Sequence, residues 1–165
     1  MFGAHGYAAV SMRDLAAELN VKAPSLYSHF PSKADILLAC IYPLVDGVDE
    51  LLAEAPAVPV PDGQVREWLT AYIELNARHA AAATILTIDQ AARAEPEVAS
   101  LVLQQSLRLE AMLEQFGSPD RTTTIAVMGA ACLPVARGAL LPMAARQLAT
   151  RLLYVLRPPA LVGWD

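Results

Sequence analysis

Apolar residues recur at three- and four-residue intervals along nearly the whole chain, and no stretch alternates apolar with polar residues long enough to make a strand. The pattern predicts an all-α protein. Met12, Leu15, Ala16 and Leu19 mark a first short helix, and Leu26 with Phe30 a second. A long helix follows from Lys33 to about Glu54, with a bend at Pro43. Proline-rich residues 55–63 form the one clear break. Beyond it the spacing predicts helices over about 63–81 (capped by Asp62), 84–93, 96–116, 121–138 (capped by Asp120) and 142–156. Order ends at Pro158-Pro159.

Residues 11–33, SMRDLAAELNVKAPSLYSHFPSK, carry the sharpest local signals. Ser11 is placed to cap the first short helix, with Asp14 three residues on to complete the box. Asn20 tolerates the left-handed backbone that stops a helix. Val21 is the expected apolar plug between the two helices. Pro24 suits a first turn, where its missing N–H costs nothing. Pro31 closes the second helix, and Ser32 with Asp35 caps the long one. Two short helices joined by a tight turn, with a third starting at once, are the layout of a helix-turn-helix DNA reader.

Inward placement of Leu26 and Phe30 leaves Ser25, Tyr27, Ser28 and His29 on the outer surface. Hydroxyls, an imidazole and a lysine all bond phosphate oxygens and so set register on a duplex. Arg13 and Ser25 are the residues expected to reach base edges, Arg favouring the O6/N7 edge of guanine. Ala23 and Pro24 offer only apolar contact, for instance to a thymine methyl. The expected DNA-contacting set is therefore Ser11, Arg13, Lys22, Ala23, Pro24, Ser25, Tyr27, Ser28, His29 and Lys33.

In Gly6-Tyr7, in Ser11-Met12-Arg13-Asp14-Leu15-Ala16, in Val21, and in Leu26-Tyr27-Ser28-His29-Phe30 followed by Ser32-Lys33, the chain resembles the TetR-type transcriptional regulators. The likeness covers about the first forty residues; the rest matches in style only. It implies that Gly-Tyr ends a first helix, that Leu-Tyr-x-His-Phe is the recognition helix, and that Lys33 touches phosphate. It also implies dimerisation through the last two helices. The Ala-Pro-Ser-Leu-Tyr wording is closest to the tetracycline-repressor branch. One departure stands out. The family has a full first helix, often with a basic arm, and Met1 to His5 supply only its last turn, with Phe2 as a core residue. Such a head would lack apolar cover over Leu15, Leu19 and Leu26, so the natural start is expected further upstream.

Composition refines this picture. Apolar residues make up 55% of the 165, more than a lone domain needs, which points to a partner-facing surface. The net charge of −5 argues against a general nucleic-acid coat. The balance is uneven, however: residues 1–33 carry three basic and two acidic side chains, the remainder nine and fifteen. Both lysines, Lys22 and Lys33, lie in the head. A mildly basic head on an acidic body suits a modular regulator that needs two heads on one duplex. Cys40 and Cys132 read as buried free thiols in a reducing cytoplasm. The longest apolar run, Ile125 to Ala136, is 12 residues, too short to cross a bilayer. His79, Asp89 and Cys132 match no catalytic spacing, and there is no metal-ligand spacing or phosphate loop. An enzyme is not expected, and no cofactor is implied.

The final helices suggest how two heads are paired. Ile125 to Leu133 is rich in small residues, and the last helix carries a stripe of Leu141, Ala145, Leu148, Leu152 and Val155. Two such helices from each protomer would form a four-helix bundle. The expected homodimer interface is Ala126, Gly129, Ala130, Leu133, Leu141, Ala145, Leu148, Leu152 and Val155. Trp68, Tyr72, Leu75 and His79 form one apolar stripe with polar points, and Val102, Gln105, Leu109, Met112 and Phe116 another. Two such walls describe a small-molecule chamber, expected to be lined by Trp68, Tyr72, Asn76, His79, Gln105, Leu109, Met112 and Phe116. Simple core packing is the competing reading.

The expected organisation is a helix-turn-helix DNA-binding head at residues 1–38 and a helical effector-binding and dimerisation domain at 39–165. The expected function is a cytoplasmic repressor released from a palindromic double-stranded operator by a small apolar effector. The alternative is a dimeric small-molecule-binding or interaction protein that has lost DNA binding with its first helix.

Overall fold

A computed structural model describes residues 1–56, 60–117, 120–136 and 142–156. Among them all regular structure is helical, as the apolar spacing predicts. The head holds α1 (Phe2–His5), α2 (Met12–Glu18) and α3 (Ala23–His29), and α4 (Lys33–Ala53) leads into the body. The body continues with α5 (Asp62–Arg78), α6 (Ala80–Ile88), α7 (Gln90–Arg93), α8 (Pro96–Gln115), α9 (Arg121–Ala136) and α10 (Pro142–Leu156).

The local signals act as their chemistry requires. Ser11 and Ser32 each accept the backbone N–H of the aspartate three residues on, and each aspartate accepts the serine's own N–H in return. Asn20 has φ 53°, the left-handed turn that separates α2 from α3. Pro24 sits in the first turn of α3. Pro43 lies inside α4, which continues through it.

Three boundaries differ from expectation. Pro61, not Asp62, is the residue preceding α5, and Asp62 lies in its first turn. Helix α5 stops at Arg78, because His79 leaves helical geometry and α6 begins at the next residue. The single helix expected over 84–93 is two. Asp89 adopts an extended backbone and its carboxylate accepts the Ala92 N–H, starting α7. The link at 57–59, the stretch 137–141 and the Pro158-Pro159 terminus lie outside the described residues.

One hydrophobic cluster runs continuously from head to body. In the head, Phe2, Tyr7, Val10, Met12, Leu15, Ala16 and Leu26 are buried. Leu15 and Leu26 thus have the cover that the sequence put in doubt. Leu19 and Val21 do not: they are 61% and 43% exposed, so Val21 is no buried plug. The four-residue α1 packs on α6, where an added methyl at Gly3 would come within 3.2 Å of Ala81, and it does not reach the end of α2.

The body is centred on α5. Leu69 and Ile73 are fully enclosed, the Trp68 ring stacks on Tyr72 at 5.4 Å, and the Phe116 ring meets Trp68 edge-on at 5.8 Å. Helices α4 and α5 approach closely at Gly47, where a Cβ would stand 2.7 Å from a Leu75 methyl. Helix α10 packs along α5 through Ala145, Ala149, Leu152, Leu153 and Leu156.

Candidate functional site

The head presents a polar surface on a firmly anchored frame. Inward burial of Leu26 fixes α3, and Ser25, Tyr27, Ser28 and His29 all face solvent, with Tyr27 51% exposed. Pro24, Lys22, Arg13 and Ser11 are also exposed beside them, and Ala23 is half-buried. Some of these polar groups already have local work. The Ser28 hydroxyl donates to the Ser25 carbonyl at 2.7 Å, and the Ser11 hydroxyl donates to Asp14 at 2.6 Å. Ser25, Tyr27, His29, Arg13 and Lys22 carry the outward chemistry. These residues offer cations and neutral donors with no acidic group on α3 itself, a face suited to an anionic duplex.

The Ser11 hydroxyl, and next its backbone N–H, hold the Asp14 carboxyl below the ordinary carboxylate range. The folded state therefore binds this proton less readily than the unfolded chain. Its contribution is present above the unfolded pKa of about 3.9 and is lost as pH falls through the folded value. Asp120 behaves alike, through the Thr123 N–H at 2.8 Å. Thermal unfolding followed from about pH 5 to pH 3 should show a smaller loss of stability in Asp14→Asn than in the parent. Equal losses would remove Asp14 from the pH response.

A polar clasp joins head to body. Gly6, at φ 81°, turns the chain out of α1. The Tyr7 N–H then donates to Asp89 Oδ2 at 2.6 Å, and the Tyr7 hydroxyl donates to Glu95 at 2.7 Å. Burial, then this hydrogen bond to Glu95, raises the Tyr7 hydroxyl far above its ordinary value, so it stays protonated. Lys33 Nζ donates to the Tyr7 carbonyl at 2.9 Å and lies 4.1 Å from the centre of its ring. An ammonium has three donors, so this contact with the Tyr7 carbonyl uses one of them. From the sequence, Asp89 is an acid beside an apolar run that matches no catalytic spacing. Its partner is 82 residues away, and no local pattern signals it.

In the body, α4 to α9 line a partly open cavity of about 270 Å³. Tyr72, Asn76, Gln105 and Leu109 line it, as expected. Trp68, His79, Met112 and Phe116 do not: Trp68, Met112 and Phe116 are buried in the adjoining core, and His79 sits at the junction of α5 and α6. The Trp68 indole N–H is satisfied by the Leu51 carbonyl at 2.9 Å. An aromatic stripe faces one direction only on average, and here its bulkiest members fill the core beside the chamber. The sequence reading missed Leu44, Val45 and Val48 of α4, Leu86 of α6, and Ile125, Met128 and Cys132 of α9. Their helices are amphipathic for two reasons at once, core and chamber, and periodicity does not separate these.

The chamber's polar lining is Tyr72, Asn76, Gln105 and Cys132, with Thr87, Arg93, Ser106 and Glu110 beside them. Asn76 Nδ2 donates to the Tyr72 carbonyl at 2.8 Å, and Cys132 Sγ lies 3.5 Å from both the Tyr72 hydroxyl and Asn76 Oδ1. Burial raises both the Tyr72 hydroxyl and the Cys132 thiol, so both are neutral at physiological pH. Gln105 Nε2 donates to the Val45 carbonyl and to Asp49, while Gln105 Oε1 is buried without a hydrogen-bond partner. Cys40, expected inside, is exposed on α4, because Leu37, Leu38, Ile41 and Leu44 occupy that helix's inner face. Among the described residues no three metal-ligating side chains cluster. No helix is long and apolar enough to cross a membrane, again among the described residues.

The expected dimer stripe divides. Ala145 and Leu152 are enclosed by their own protomer against α5, so they face no partner. Val155 is 49% exposed and Leu148 half-buried. On α9, Ala126 is exposed, Gly129 and Ala130 are half-buried, and nothing lies within 4 Å of a Cβ placed on Gly129. The side chain of Leu133 and all of Leu141 lie outside the described residues. A hydrophobic stripe on a terminal helix fits a monomer core as well as an interface, and here α5 takes most of it.

The architecture is a helix-turn-helix head on an all-helical body. The chain matches the family model described as "Bacterial regulatory proteins, tetR family" over residues 1–40. Its fold is that of solved TetR-family regulators. A TetR-like transcriptional regulator from a Rhodococcus species is 27% identical, with 93% of this chain and 87% of that one aligned at a TM-score of 0.68. The TetR family transcriptional regulator PfmR from Thermus thermophilus is 23% identical, with 94% and 92% aligned at a TM-score of 0.64. No curated protein matches the sequence.

Proposed function

We propose that the protein is a homodimeric DNA-binding repressor of the cytoplasm, not an enzyme, that leaves a palindromic operator when a small, mainly apolar effector enters the body. The observation that carries this reading is the exposed face of α3, with Ser25, Tyr27 and His29 turned to solvent beside Arg13 and Lys22 on a head whose core is buried. The domain division expected from sequence, residues 1–38 and 39–165, is retained as part of the proposal.

The chamber supplies the response. Its walls include α4, which leads directly from the head, and the end of α6 with α7, where Asp89 holds the Tyr7 N–H. An effector acts by binding one arrangement of heads more tightly than the other, and the shift it can cause is limited by that difference. The pairing of heads rests on the exposed Ala126 of α9 and Val155 of α10, with the half-buried Ala130 and Leu148 beside them.

The test is a gel-shift titration of the purified protein against duplexes selected from a random pool, at several salt concentrations. With Arg13, Lys22 and Lys33 of two heads at phosphates or bases, the slope of log K against log[salt] should fall between about −4 and −5. A flat slope, or equal affinity for all duplexes, would remove the reading.

A further inference from the structure

Cys132 is a weak partner for two buried hydrogen-bonding groups in the chamber wall. Its sulfur lies 3.5 Å from the Tyr72 hydroxyl and 3.5 Å from Asn76 Oδ1. The thiol's one hydrogen is directed at Asn76, so the Tyr72 hydroxyl donates to sulfur. Asn76 cannot turn its amide to escape this, because Nδ2 is held by the Tyr72 carbonyl. The phenolic O–H and the amide oxygen, in residues more than nine-tenths buried, therefore rely in part on a weak donor and weak acceptor. Buried polar groups normally find good partners. Here they line a cavity of about 270 Å³ whose other walls are mostly Leu, Val, Ile and Met.

We infer that the chamber binds a small neutral alcohol or phenol, whose hydroxyl accepts from Tyr72 and donates to Asn76 Oδ1 in place of the Cys132 thiol. A hydroxyl is the simplest group that is donor and acceptor at one atom, which is what the sulfur's position requires. An apolar cavity of about 150 Å³ holds one benzene ring, so this volume admits about ten to twelve heavy atoms. A carboxylate is excluded on charge. Asn76 Oδ1 and Gln105 Oε1 are both acceptors, and Arg93, the cation in the described lining, is exposed. An ion buried without a counter-charge is strongly disfavoured. The inference deepens the effector half of the proposed function and rests on it, but its test uses no DNA.

Binding of 2-naphthol, naphthalene and 2-naphthoate to the purified protein is measured by calorimetry. 2-Naphthol should bind about tenfold more tightly than naphthalene, the scale of one buried hydrogen bond, and 2-naphthoate more weakly than either. Tyr72→Phe should bring 2-naphthol to within about twofold of naphthalene and leave naphthalene's own affinity unchanged. Cys132→Ser, which gives Tyr72 and Asn76 a strong internal partner, should weaken 2-naphthol alone, and it serves if Tyr72→Phe does not fold. Failure of all three probes to bind, equal binding of 2-naphthol and naphthalene, tighter binding of 2-naphthoate, or a preference untouched by both variants would overturn the inference. A protein that shows the predicted pattern but grips no duplex keeps this inference and loses the regulatory one.

Discussion

Leu152→Asp should lower the thermal midpoint by about 8–16 °C. Leu152 is 5% exposed in the core that α10 makes with α5. An aspartate there loses the packing of a leucine and buries a charge with no cationic partner, a combination expected to cost more than about 4 kcal/mol. For a chain of this size each kcal/mol shifts the midpoint by about 2–4 °C. Val155→Asp is the companion change. Val155 lies three residues on and is 49% exposed, so its effect on the fold should stay within about 0.5 kcal/mol, while the dimer dissociates at concentrations where the parent does not. Calorimetry with analytical ultracentrifugation on both variants separates the outcomes. Equal loss of stability would mean that α10 is buried all round. A Val155→Asp protein that dimerises as the parent does would move the interface away from α10.

Arg13→Ala should weaken binding to the selected operator by about 30-fold to 20,000-fold. One good bidentate base contact discriminates by about 1–3 kcal/mol, and a symmetric dimer loses two. Arg13 is exposed next to the Ser11 cap, at the start of the helix preceding α3, so the substitution removes no core contact. Tyr27→Ala and His29→Ala should weaken binding by smaller factors at all sequences alike, since phosphate contacts position the head without reading bases. None of the three should alter dimerisation. Unchanged affinity in Arg13→Ala would take α2 out of base readout.

The head was legible in the sequence because its signals are local. Two Ser-x-x-Asp boxes, Asn20 and Pro24 each fix backbone within a few residues, and each appears where its chemistry places it. Val21 was misplaced because exposure depends on what crosses over a helix, while Leu19 lies bare, as so short a first helix predicts. In the body, spacing gave the helices but not their faces. Ala145 and Leu152 share a stripe with Val155 only until α5 is known to lie against two of them. The Tyr7–Asp89 and Tyr72–Cys132 contacts join residues 82 and 60 apart. Periodicity carries no information at that range. The split of α6 from α7 was readable in part, since Asp89 is a good cap, but an acid within an apolar run does not announce which carbonyls and amides lie nearby.

The central claim is that α3, paired with its twin, lies in successive major grooves. Hydroxyl-radical footprinting on the selected palindrome tests it most directly. Two protected patches on one face of the duplex, centred about 34–36 Å apart and lost together in Val155→Asp, are the predicted result. Protection with no such spacing, or a paired footprint that survives as monomer, would contradict the account.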